Sequence, residues 1–154
     1  MQPQNTRHIR RLQPAKGPGI IALIFTGRAG KFDIAKERSV FGNPIGKNQG
    51  IAFPLATAYA QLEAAEMMVR KAAALYDSDQ DCGEAANIAK FLASEAAWYA
   101  ADQTFQTFGG FAFAREYHIE RKWREVRLWR TAPISNNMVL NFVAQNVLGL
   151  PRSY

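Results

Sequence analysis

A chain of 154 residues, 48% hydrophobic and 21% charged, is long enough for one domain with a real core. Its single cysteine, Cys82, excludes an internal disulfide and a multi-cysteine zinc site, and its early apolar run, IIALIF at 20–25, is too short to cross a bilayer. The formal charge of +6 belongs to the leader: residues 1–36 carry seven Lys or Arg against one acid, Asp33, whereas 37–154 hold twelve of each sign, so no basic stripe for nucleic acid is expected on the folded body.

Residues 1–31 mix Arg, Gln, Pro and Gly without a sustained period. They are expected to be a disordered leader or a start codon read in the wrong context. The stretch contains arginine and no acid, which also fits a targeting segment, but it lacks serine, and AKGPG would break an amphipathic helix. A cytoplasmic location is expected, or a mitochondrial one if the leader is a transit peptide.

A helical domain is expected over 32–154. KFDIAKERSVF reads as the last turns of a helix broken by GNPIGKN at 42–48, and this places Arg38 and Phe41, spaced i, i+3, on one helix face. Asn48 is a candidate cap for a helix running to about Tyr76. Leu55, Tyr59, Leu62, Glu66, Val69 and Ala73 recur at spacings of three and four and predict its buried stripe. Pro54 predicts a kink or a later start.

DSDQD at 77–81 is a polar connection, and Asp81 with Glu84 resembles a capping box. The next helix is predicted over 83–108, with Ala86, Ala89, Ala93, Ala96 and Ala97 forming a smooth side for close approach. That side, together with the edge that carries GGFAF at 109–113 and with Trp98 and Trp123, is also the expected route of association between chains. Residues 117–129 and 135–149 read as two further helices, the last stopped by Gly149 and Pro151. No segment alternates with period two, and the polar loops are short. The predicted fold is all-α, an antiparallel up-and-down helical bundle.

Side chains alone offer little chemistry. His8 and His118 have no serine or cysteine partner at a telling spacing, and neither a catalytic carboxylate pair nor a metal-ligand set stands out. The turn QTFGG at 106–110 is the exception. A helix end needs one glycine; Gly109 and Gly110 together, with Gln106 a turn earlier, suggest backbone laid bare against a flat or phosphorylated ligand.

Taken in order, ERSVFGNPIGKNQ (37–49), AKFLASEAA (89–97), QTFGG (106–110) and EYHIERKWRE (116–125) resemble the C-terminal helical domain of the acyl-CoA dehydrogenases, FAD-dependent flavoproteins that introduce a double bond next to a thioester. The likeness runs from about residue 35 to 154. It implies that Gln106, Gly109 and Gly110 lie along the adenosine half of FAD bound by a neighbouring subunit. It further implies that Arg38 meets the pyrophosphate, that Phe41 packs by the adenine, and that Gln49 matches the family's glutamine. Tyr117 and Arg121 fit the Tyr-x-x-x-Arg stretch as links between the last helices. An acyl-CoA substrate and a homo-oligomer, or association with missing domains, follow from the same likeness.

Two departures qualify it. Relatives commonly carry a catalytic glutamate in a Glu-Gly-Thr turn before the last helix, but here the turn reads RTAPISNN, and no Asp or Glu follows Glu125. Asp33 and Glu37 are the only acids preceding the Arg-x-x-Phe-Gly motif, and no base is assigned. Full-length relatives also have an N-terminal helical domain and a β-domain, which implies a fragment, a truncated reading frame or part of a split protein. The competing expectation is a non-catalytic helical module for oligomerisation or the FAD edge, which self-associates or joins a full-length relative.

Overall fold

In the computed structural model, residues 33–152 are described; the leader, with its targeting reading and His8, lies outside them. Helix α1 is short, Asp33–Glu37, and does not continue through Phe41. Ser39–Val40 (β1) instead turns through Phe41 and Gly42 to pair antiparallel with Asn43–Pro44 (β2), Ser39 opposite Pro44 and Val40 opposite Asn43. Arg38 and Phe41 therefore do not share a helix face, and that expectation is corrected. The cause is local. Pro44 disfavours helical backbone at Asn43, and Gly42 takes φ +78°, which closes a hairpin of two-residue loop.

A 3-10 turn at Ile45–Lys47 follows and buries Ile45 against Ala35 of α1 and Leu55 of the next helix. Gly46 is required there, because a Cβ would stand 2.7 Å from the Ala35 carbonyl oxygen.

Two long helices form the body of the bundle. Helix α2 spans Gln49–Asp77 and runs through Pro54, so the helix does not start late. Asn48 is at its N-cap position but its side chain makes no capping bond. Of the predicted stripe only Leu55 is fully buried; Leu62, Glu66, Val69 and Ala73 are half-buried and Tyr59 is exposed, while Ala58 and Ala65 take the inner positions.

Helix α3 spans Gly83–Phe108 and packs along α2, with Ala65 against Ala93 and Ala96 and with Leu62 and Leu92 flanking them. Small side chains on both helices let the backbones approach closely. Ala89, Ala93, Ala96 and Ala97 are all buried, Ala93 and Ala96 in this seam and Ala97 on the side that meets the fourth helix, whereas Ala86 is exposed and Ala85 lies inside. The alanine face is thus consumed within the chain and cannot also serve as the route of association. At the start of α3 the Asp81 carboxylate accepts the Gly83 N–H at 2.9 Å, a local turn in place of the expected box with Glu84. Cys82 occupies the N-cap, half-buried and without a capping bond.

After a 3-10 turn at Gly109–Phe113 and another at Arg115–Tyr117, His118 in left-handed backbone starts α4, Ile119–Leu128. This helix packs on α3 through Trp123 and Val126, with Trp98, Ala97 and Ala101 facing them and Trp129 at the edge. Helix α5, Asn136–Phe142, is capped by the Ser135 hydroxyl and continues as a π turn, Val143–Val147. The architecture of the described residues is an all-α antiparallel bundle with one hairpin of two-residue strands. Among the described residues no helix is long and apolar enough to cross a membrane.

Candidate functional site

Arg38 follows the last residue of α1, where the chain leaves the helix for the hairpin. Its Nη1 donates to the Phe108 carbonyl at 3.3 Å. That carbonyl belongs to the last residue of α3, so the guanidinium satisfies an acceptor that the helix itself leaves unpaired. The charge also meets the negative end of the helix dipole. Among the described residues no carboxylate pairs with Arg38. The contact joins two of the segments singled out by sequence, 70 residues apart, at one end of the bundle.

The two glycines have different explanations. Gly109 has φ +59° and ψ −134°, backbone that other residues rarely adopt, so it is glycine for conformational reasons. Gly110 is not at positive φ, and a Cβ there would meet nothing within 4 Å. Nothing among the described residues requires the second glycine. Both positions are exposed, so the backbone of the turn is open to a ligand.

Phe41 is fully exposed, at 100% of its possible surface, and sits at φ +52° in the tip of the hairpin. An aromatic residue in left-handed backbone is strained, by roughly 1–2 kcal/mol, and strain of this kind concentrates at ligand sites. Gln49 and Gln106 are also exposed, Gln49 as the first residue of α2 and Gln106 one turn before Gly109. Among the described residues no hydrogen bond ties Gln49 to Arg38 or to the glycine turn. Tyr117 rests its ring on Phe108 and Phe111, each at 5.7 Å, whereas Arg121 pairs with Glu125 on its own helix at 2.7 Å. A cradle of arginine, bare backbone and aromatic rings suits an anionic, planar ligand.

A second polar group, not anticipated from sequence, lies between α3 and the start of α5. The Asn136 side chain is buried; its Oδ1 accepts from Lys90 Nζ at 2.5 Å and Ser94 Oγ at 3.0 Å, and its Nδ2 donates to Glu95 Oε1 at 2.6 Å. Arg130 Nε donates to the same Glu95 oxygen at 2.7 Å. Burial holds the Lys90 ammonium below the ordinary lysine range, with the nearby Glu95 charge opposing that shift. Part of the signal was present in AKFLASEAA, where Lys90 and Ser94, spaced i, i+4, share one helix face and Glu95 follows beside them. Its partner Asn136 reads in sequence as an ordinary cap residue. The network pins both ends of the connection 131–135, where RTAPISNN places no carboxylate.

The model of the acyl-CoA dehydrogenase C-terminal domain matches residues 22–148. The chain belongs to the acyl-CoA dehydrogenase family. The family match begins upstream of the boundary expected at residue 32. The acyl-CoA dehydrogenase FadE12 of Mycobacterium tuberculosis is 48% identical over 152 residues, covering 97% of this chain and 38% of that protein. The chain therefore spans well under half the length of this curated relative. Butyryl-CoA dehydrogenase of Megasphaera elsdenii superposes with a TM-score of 0.78 at 29% identity, over 84% of this chain and 34% of the other. PigA in complex with FAD superposes with a TM-score of 0.77 at 27% identity, over 86% of this chain and 33% of the other.

Proposed function

We propose that this chain is the helical, FAD-edge part of an acyl-CoA dehydrogenase, acting in the α,β-dehydrogenation of acyl-CoA thioesters as part of a larger assembly. The observation that carries the reading is the meeting of Arg38 with the end of α3 beside a glycine that packing among the described residues does not require. Family membership and the FAD complex of a structural neighbour support flavin as the ligand. Arg38 would meet the pyrophosphate, where a planar guanidinium suits paired oxygens better than an ammonium does. Phe41 would lie against the adenine, Gly109 and Gly110 would admit the adenosine half to the backbone, and Gln106 and Gln49 would offer amides. The flavin supplies the hydride chemistry when bound; these residues bind and orient.

The test is FAD titration of the purified chain, followed by flavin fluorescence and equilibrium dialysis. Arg38→Ala is expected to weaken binding by roughly 1.5–3 kcal/mol, the worth of a charge-assisted contact. Gly110→Val is expected to weaken it further, without loss of stability, because the space a side chain would fill is empty in the free chain. FAD affinity unchanged in both variants would remove these positions from the site.

A further inference from the structure

We propose that Phe111 is a positioning residue for Arg38, holding the guanidinium at the end of α3 so that its remaining N–H groups are available to an anion. The Arg38 Cζ lies 5.5 Å from the centre of the Phe111 ring, within cation–π range. Tyr117 backs that ring at 5.7 Å. Phe111 is 50% exposed and Tyr117 45%, so burial in the core does not explain either ring.

Arg38 needs such a platform. A long side chain with many rotamers is held here by one hydrogen bond of 3.3 Å to a neutral carbonyl and by no carboxylate among the described residues. The bond to Phe108 uses one of five guanidinium N–H donors. Phe111 also belongs to the same 3-10 turn as Gly109 and Gly110. One turn therefore sets both the bare backbone and the place of the charge, and the two cannot drift apart. The consequence for an anion rests on the function proposed above; the ordering of Arg38 does not.

The experiment reads the two separately in the full chain. The Arg38 Nε–Hε resonance is recorded by ¹⁵N NMR at mildly acidic pH and assigned by its loss in Arg38→Ala. In the wild type and in Phe111→Trp it is expected to be ring-current shifted and ordered. In Phe111→Leu, which keeps bulk but removes the π face, it should move to the shift of a free arginine and lose its heteronuclear NOE, with the circular dichroism melt unchanged. An Arg38 signal equally ordered in Phe111→Leu overturns the proposal.

FAD and riboflavin titrations give the second reading. Phe111→Leu should weaken FAD by roughly two- to fivefold, the range of an exposed cation–π contact, leave riboflavin unaffected, and add nothing in an Arg38→Ala background. Equal weakening with and without Arg38 would mean that the ring touches the ligand itself, which also overturns the proposal. Loosening of Arg38 in a chain that binds no FAD would uphold the positioning role and remove the function proposed above.

Discussion

At the scale of single residues, the site is marked by side chains whose placement makes the free chain less stable. Phe41 exposes its whole ring and holds left-handed backbone in a turn whose other central residue is Gly42, also at positive φ. Asparagine followed by glycine is the preferred pair for such a turn. Phe41→Asn should therefore stabilise the unliganded chain by about 1 kcal/mol, the lower end of the cost of left-handed backbone, and raise its melting temperature. The same change removes the aromatic surface offered to the adenine, so FAD affinity should fall. Calorimetry and FAD titration on one pair of samples check both halves. A variant neither more stable nor weaker in binding would show that the exposed ring is incidental.

At the scale of elements, α5 is held on α3 by Asn136 more than by apolar area, since Val139 is the one other fully buried residue of that helix. Asn136→Ala leaves the partners Lys90, Ser94 and Glu95 without their shared amide. Ser94 keeps the Phe91 carbonyl and Glu95 keeps Arg130, so the loss is that of the bridge and should cost about 1–2 kcal/mol, read as a lower denaturation midpoint with faster hydrogen exchange in α5 than in α2. Loss of stability spread evenly over the bundle would contradict the local role. The helices themselves were legible from sequence: the turn chemistry around DSDQD and the paired glycines place α3 at 83–108, as observed. The hairpin was not. KFDIAKER carries helix-forming residues through Arg38, so the segment reads as one helix, whereas Ser39, Val40 and Phe41 favour helix less and Gly42 with Pro44 closes the hairpin. Likewise Gln106, Gly109 and Gly110 announce a bare turn, but the Asn136 network joins residues over 40 positions apart, which spacing within one helix cannot reveal.

At the scale of the whole molecule, the bundle leaves much apolar surface uncovered. Phe53 and Met67 of α2, Phe111 and Phe113 of the turn, and Met138, Leu140 and Leu148 near the chain's end are all exposed. Large exposed apolar patches mark partner surfaces, and since the alanine seam is already filled, association is expected through these residues. Sedimentation should show concentration-dependent oligomers; a monomer at high concentration would exclude that. The same incompleteness bears on catalysis. The 154-residue chain alone is expected not to dehydrogenate acyl-CoA. Removing the α-proton of a thioester requires a positioned base, worth roughly 10²–10⁴ in rate, and RTAPISNN supplies no carboxylate. Asp33 is engaged with Lys36 at 3.2 Å, and Glu37 is exposed beside it. Glu95, the carboxylate bonded to the end of that turn, is committed to Arg130 and Asn136. Anaerobic mixing of the chain, FAD and a series of acyl-CoA thioesters, followed by flavin absorbance, should show no bleaching. Rapid bleaching at any chain length would demonstrate a base and a complete pocket within these residues, and Asp33, Glu37 and Glu95 would then be the first side chains to replace.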